Sequence, residues 1–310
     1  MRSNRPSGTA ELVCRLRAIE FLLPEDQRIV SDPYARGFLG PRHAAVVDVA
    51  ARLPPRTLLA LRRSGRNRGS SGAFVLARHR AMDDLLVAQE GLEQVVLLGT
   101  GYDTRSVRLA GALEGATLFE VDHPATARRR NALAPVVFRN APRARTVRVP
   151  IDLERESLER RLLAAGFDPA RHTFWIWEGV TMYLDEAVIR ATLTLVEALS
   201  TPGTLLIFDA WSPPGRGPER LVRRNLPALA VRLFFAEPFT WRPRPDAVAS
   251  LLREHGFALI DEVEAGPLIG RYAARRRGLG RRAGCGLRLF TARVGGDSDP
   301  GTDDDRNPLP

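Results

Sequence analysis

The stretch "VVLLGTGYDTR", Val95 to Arg105, is an apolar run that breaks into Gly99-Thr100-Gly101 and then Asp103-Thr104-Arg105. A short apolar segment ending on paired glycines has the form of a strand that stops where a backbone comes close to something. That something is a dinucleotide, a phosphate, another nucleoside or only the next helix. A dinucleotide fingerprint needs a third glycine, at position 104, for phosphate contact and close helix contact. The residue there is Thr104, preceded by Asp103, whose carboxylate would repel a pyrophosphate. The turn therefore suits a nucleoside without phosphates. Asp122 closes the next apolar run, where an acid accepts hydrogen bonds from the two ribose hydroxyls. A plain strand-to-helix turn also produces Gly-x-Gly, so the pattern around it matters.

From Gln94 onward, short apolar runs alternate with helices. The runs are "QVVLLG", "ATLFEVD", "RTVRVPID", "TFWIWEG" and "GTLLIFDA", with helices over "ERESLERRLLAAG" and "DEAVIRATLTLVEALS" between the later ones. Continuous apolar strands separated by helices predict a parallel sheet covered on both faces. Asp122, Asp152, Glu178 and Asp209 close several of the runs, which sets a row of hydrogen-bond acceptors along the edge where open α/β sheets bind ligands. A further helix, "RPDAVASLLREHG", and two further strands, "FALIDEV" and "GLRLFTARV", complete the domain. Upstream, residues 1–90 read as helices and loops. "AELVCRLRAIEFL" is helical, "SDPYARGFLG" is a turn capped by Ser31 or Asp32, and "AFVLARHRAMDDLLVAQEG" is a helix stopping at Gly91.

Composition narrows the function. The chain has 310 residues and a net charge of +10, yet contains no lysine, so every cationic side chain other than histidine is arginine. A Walker A lysine and a Schiff-base lysine are therefore both excluded. Excess arginine without an accompanying motif reads as a compositional bias, and nucleic acid is not expected as a partner. No apolar stretch reaches the roughly 18 residues that span a bilayer. With two cysteines, Cys14 and Cys285, there is neither a disulfide framework nor a zinc site, and a cytoplasmic protein is expected. No cluster has metal-ligand spacing, so no metal is expected. Nothing in the sequence specifies an oligomeric state.

The segments "RAIEFLLPEDQRIVSDPYARGFL", "FVLARHRAMDDLL", "QVVLLGTGYDTRSVRL", "LFEVDHPATARRRNAL", "VPIDLERESLERRLLAAGFDPARHTFWIWEGVTMYLDEAVI" and "AEPFTWRPRPDAVASLLREHGF" together resemble the leucine carboxyl methyltransferase-like family of S-adenosylmethionine (SAM)-dependent methyltransferases, in particular its bacterial branch, which includes polyketide-tailoring enzymes. The family usually has Gly-Ala-Gly where this chain has Thr100. The resemblance implies a class I methyltransferase fold: a Rossmann-like, mostly parallel sheet with an antiparallel last strand, helices on both faces and an N-terminal helical lid. It divides the chain into a cap over 1–90, a catalytic domain over 91–294 with an insertion at about 212–240, and a disordered tail over 295–310. By position it assigns Arg78 to the SAM carboxylate, Gly99 and Gly101 to the turn under the amino-acid tail, and Asp122 to the ribose. Asp152 and Leu153 fall at the adenine, and Glu178 near the amino-acid part of SAM.

The implied activity is methyl transfer to the oxygen of a small-molecule acceptor, in a setting of secondary metabolism. Tyr183 and His123 are the weak candidates for a general base; no clear one exists, which favours a carboxylate acceptor over a hydroxyl. His79 and His172 have no partner visible in the sequence. The alternatives are a SAM-binding protein without catalysis, a nucleic-acid binder using its arginines, and an NAD-dependent oxidoreductase on a similar sheet, the last opposed by Thr104.

Overall fold

The computed structural model describes residues 6–63, 71–153, 155–212, 239–272 and 286–295. Its strands are β1 (Gln94–Leu98), β2 (Thr117–Asp122), β3 (Arg145–Pro150), β4 (Thr173–Trp177), β5 (Leu205–Trp211), β6 (Phe257–Glu264) and β7 (Leu287–Val294). They form one sheet in the order β3-β2-β1-β4-β5-β7-β6. The first five are parallel to one another, and β7 runs antiparallel to both β5 and β6. This is the class I methyltransferase arrangement, and the last strand is antiparallel as expected.

The apolar runs are continuous because the central strands are covered twice. Val95 and Leu97 of β1 face one apolar cluster, and Val96 and Leu98 face the other. On the first face lie α4 (Ser71–Val87) and the helix Ala265–Tyr272; on the second lie α7 (Leu158–Ala164), α8 (Glu186–Ala198) and the helix Pro245–Glu254. Strand β3, at the edge, is largely exposed, which fits its arginine-rich sequence.

The N-terminal part is helical: α1 (Gly8–Phe21), α2 (Pro41–Ala51), α3 (Pro55–Arg63) and α4. A separate apolar cluster joins α1, α2 and a short 3-10 turn, Ala35–Phe38, to Tyr102 of the glycine turn, to the single-turn helix α5 (Arg105–Arg108) that follows it, and to α6 (Pro124–Val137). Of the two candidate caps for that turn, Asp32 is used: its Oδ1 accepts the N–H groups of Tyr34 and Ala35, each at 3.1 Å.

Two details differ from the sequence reading. Helix α4 stops at Val87, and Gly91, at φ +63°, belongs to the turn beyond it. The helix Ala265–Tyr272 was unforeseen, because its apolar residues run directly on from β6. The arginine-rich segment 273–285, most of the 212–240 insertion and the tail after Gly295 lie outside the described residues.

Candidate active site

The sheet order reverses between β1 and β4, which opens a crevice at their carboxyl ends. The glycine turn lies there. Gly99 and Gly101 have φ of +78° and +56°, a region that only glycine enters freely. A Cβ on Gly99 would lie 2.2 Å from Val180 Cγ2, in the loop after β4, and one on Gly101 would lie 3.2 Å from Ala10 Cβ on α1. The turn thus approaches protein on both sides. Its amides are also engaged. Gly99 and Thr100 donate to the Val121 carbonyl at 2.9 and 3.0 Å, Gly101 donates to Asp122 Oδ2 at 2.6 Å, and Asp103 donates to the Thr100 carbonyl at 3.0 Å. None of these four N–H groups is left to cradle a phosphate, which agrees with a ligand that has none.

Asp122 ends β2. Its Oδ1 accepts the His123 N–H at 2.7 Å, so each carboxylate oxygen has one backbone donor and retains a lone pair. Burial pushes its carboxyl up to about 6, although the Gly101 and His123 N–H groups act in the opposite direction. His123 is the N-cap of α6, and its Nδ1 accepts the Ala125 N–H at 3.3 Å. Beyond β3, Asp152 and Leu153 stand in a turn. The carbonyl of Asp152 accepts the N–H groups of Arg155 and Glu156, both at 2.9 Å, and Leu153 packs on the second apolar cluster. The cap of α7 is Ser157, not Asp152. Tyr183 sits in a single 3-10 turn after β4, edge-on to Phe239 with ring centroids 5.3 Å apart.

Arg78 and Glu178 meet, at the centre of a buried ion cluster. Arg78, on α4, donates through Nε to Glu178 Oε1 at 3.2 Å and through Nη1 to Asp209. Asp209 is not on the crevice edge: β5 continues to Trp211, and the Asp209 carboxylate is fully buried, with its other oxygen accepting the Gly179 N–H at 2.6 Å. Gly179, at φ +70°, allows this approach, since a Cβ there would lie 2.6 Å from Arg78 Nη2.

Arg105 was not singled out by the sequence reading, yet it is the hub. Its guanidinium donates to Asp83 Oδ1 at 2.6 Å, Asp103 Oδ2 at 2.5 Å and Glu178 Oε2 at 2.9 Å. Arg108 reaches Asp83 Oδ2 at 2.8 Å and His79 Nε2 at 2.7 Å. Thr104 carries the cluster outward: its hydroxyl donates to Asp32 at 2.8 Å and accepts from Arg108 at 2.9 Å, and Asp32 pairs with Arg17 of α1 at 3.0 Å. Burial alone would raise the carboxyl values of Asp83 and Glu178, but Arg108 and Arg105 beside Asp83, and His79, Arg105 and Arg78 beside Glu178, hold both well below the ordinary range. His79, Asp103 and Glu178 present ligand atoms within 4.8 Å of one another, the spacing of a metal site, but the Arg105 guanidinium, hydrogen-bonded to Asp103 and Glu178 and 3.1 Å from His79 Nδ1, already stands among them as the cation.

Five carboxylates (Asp32, Asp83, Asp103, Glu178, Asp209) face four guanidiniums (Arg17, Arg78, Arg105, Arg108), so with His79 neutral the cluster is negative by one charge. Glu178 has the most exposed of these paired acidic side chains in the inner cluster, at 11%. The cluster therefore presents a carboxylate toward the crevice, and its charge suits a cation rather than a pyrophosphate.

The sheet order and the crevice define a class I, Rossmann-like methyltransferase. The chain belongs to the leucine carboxyl methyltransferase family, whose model matches residues 10–197. It is 38% identical over 208 residues to a protein of Frankia alni assigned as an S-adenosyl-L-methionine-dependent methyltransferase, a match covering 64% of this chain and 68% of the relative. A Mycobacterium tuberculosis protein with the same assignment is 32% identical over 300 residues, covering 86% of this chain and 87% of the relative. A DUF574 family protein from Streptomyces avermitilis shares the fold, with a TM-score of 0.57 at 14% identity, covering 90% of this chain and 96% of that one. The protein is a SAM-dependent methyltransferase. Among the described residues, no helix is long and apolar enough to cross a membrane.

Proposed function

We propose that this enzyme methylates a carboxylate of a small acid, forming a methyl ester. The observation that carries this reading is the engagement of the candidate bases. Of the two named candidates, His123 spends the Nδ1 lone pair on capping α6 and Tyr183 packs edge-on to Phe239; beyond them, both ring nitrogens of His79 lie against charged partners, and Glu178 and Asp209 hold guanidiniums. A hydroxyl acceptor would need a base with access to its proton, whereas a carboxylate is already anionic.

The roles are those that the family resemblance implies, and the geometry supports them. Asp122 keeps a lone pair on each oxygen for the ribose hydroxyls. Asp152 and Leu153 flank the adenine. Glu178 takes the ammonium or sulfonium end, consistent with the negative balance of the cluster. Arg78 Nη2, beside Gly179, has no acceptor among the described residues, which leaves it for the carboxylate of the methyl donor. When bound, SAM supplies an electrophilic methyl carbon whose leaving group is a neutral thioether. The chain's task is then alignment and exclusion of water, not proton transfer.

The test is a pH–rate profile on a free acid that the enzyme accepts, with the product checked for base lability. A carboxylate acceptor predicts a base-labile ester and a rate that is flat above about pH 6, apart from any change in donor binding. A base-stable ether formed at a rate climbing toward pH 9 would replace the carboxylate by a phenol.

A further inference from the structure

His79 lies on α4, is buried, and has no role in the assignments above. Its ring is held on both sides. Nε2 is 2.7 Å from Arg108 Nη2, and a guanidinium has donors only, so Nε2 must offer its lone pair. Asp83 Oδ2, at 3.9 Å from Nε2, is too far to accept a proton from it. The ring proton therefore sits on Nδ1, which is 2.9 Å from Glu178 Oε2. Arg105 Nη2 donates to the same oxygen at 2.9 Å, and its 3.1 Å separation from Nδ1 is that of two donors converging on one acceptor.

The opposite tautomer would aim Nε2–H at the N–H of Arg108 and set the Nδ1 lone pair against a carboxylate. The imidazolium would face two guanidiniums, Arg105 and Arg108, against the carboxylates of Glu178, Asp83 and, behind Arg105, Asp103. Burial first and Arg105 second depress the basicity of the ring, so the neutral form is the one these partners hold.

We infer that His79 is a positioning residue: its Nδ1–H tautomer, fixed by Arg108, fills Oε2 of Glu178 together with Arg105 and so fixes the carboxylate that receives the cationic end of the methyl donor. This rests on the reading that Glu178 contacts that end. Oε1 accepts from Arg78 Nε at 3.2 Å and lies 3.2 Å from the same Nδ1, a longer contact than that to Oε2, and it has capacity for a further donor. The prediction is specific to one ring nitrogen. Asn at position 79 can place an amide donor where Nδ1 stands; Leu cannot; Gln reaches the Nε2 position and leaves Oε2 with one donor fewer.

The experiment combines two measurements on the full chain. Nitrogen-15 spectra of histidine-labelled protein, with His79 assigned by its loss in His79→Asn, should show a protonated Nδ1 and a bare Nε2 unchanged between about pH 5.5 and 8. Titration calorimetry with S-adenosylhomocysteine (SAH) should give His79→Asn an affinity within about threefold of the parent. His79→Leu and His79→Gln should both be weakened by about tenfold or more, the scale of losing a hydrogen bond to a charged group. An Nε2–H tautomer or an imidazolium overturns the inference, and this readout stands even where His79→Leu fails to fold. A His79→Asn protein as weak as His79→Leu also overturns it, because only the ring's shape would then matter. If Glu178→Gln weakens SAH while His79→Leu and His79→Gln do not, the inference falls and the reading of Glu178 survives. Unchanged affinity in Glu178→Gln removes both.

Discussion

At the scale of single residues, Asp122 and Arg105 show two ways of using a buried charge. The Asp122 carboxyl is raised to about 6 from an ordinary 3.8, so the folded chain holds this proton more tightly than the unfolded one. Its contribution to stability is therefore largest at low pH and falls as the pH rises through that window. The ionised form is the one with lone pairs for ribose hydroxyls. SAH affinity should accordingly weaken by about tenfold between pH 7.5 and 5, and binding near pH 6 should release a proton. Calorimetry in buffers of different ionisation enthalpy reads that proton directly. Its persistence in Asp122→Ala would remove Asp122 from the site. Arg105 is the reverse case, a cation surrounded by Asp83, Asp103 and Glu178. Arg105→Leu leaves these acids without their shared partner and should lower stability by about 3–5 kcal/mol in denaturant unfolding. A loss under 1 kcal/mol would mean that the cluster does not depend on its hub.

The sequence offered little access to this cluster. Arg105 meets Asp83 across 22 residues and Glu178 across 73, and Arg78 meets Asp209 across 131. No short motif encodes such distances. One signal was present: Arg78, His79 and Asp83 alternate with Ala77, Ala81 and Met82 on a helix buried nearly all round, and charges in that setting need partners. The resemblance assigned Arg78 and Glu178 separately to the ligand. The structure adds that each also holds the other, so Arg78→Ala should lower stability as well as donor affinity, because Asp209 is left unpaired.

At the scale of elements, the glycine turn was legible in outline: paired glycines mark a close approach, and their missing side chains make room for Val180 and Ala10. Gly99→Ala should therefore destabilise the fold by on the order of 1–3 kcal/mol, through the positive φ and the contact with Val180. Removing the contact in Gly99→Ala/Val180→Ala should recover part of the loss, the remainder being backbone strain. Strict additivity of the two substitutions, measured by denaturant unfolding, would show that Val180 is not the obstacle. Gly179→Ala acts on a different element. It would push Arg78 away from Glu178 and Asp209, so SAH affinity should fall even where the fold survives.

At the scale of the whole molecule, the parallel sheet was readable because each central strand is apolar on both faces, a pattern that a doubly covered sheet requires, whereas the antiparallel last strand was implied by the family resemblance. The attachment of the N-terminal helices was not readable: beside the apolar contacts with α6 and Tyr102, it runs through Arg17, Asp32 and Thr104, three polar residues from separate segments. Thr104, which argued against a dinucleotide, has a positive role here as the link between the turn and that N-terminal layer. Charge, hydrogen bonding and topology converge on one crevice beyond β1 and β4. The most direct test is a crystal structure of the full chain with SAH. The account predicts ribose hydroxyls on Asp122, the adenine beside Asp152 and Leu153, the ammonium on Glu178 and the carboxylate on Arg78. A nucleoside bound elsewhere, or bound there with Asp122 and Glu178 both out of hydrogen-bond reach, would contradict it.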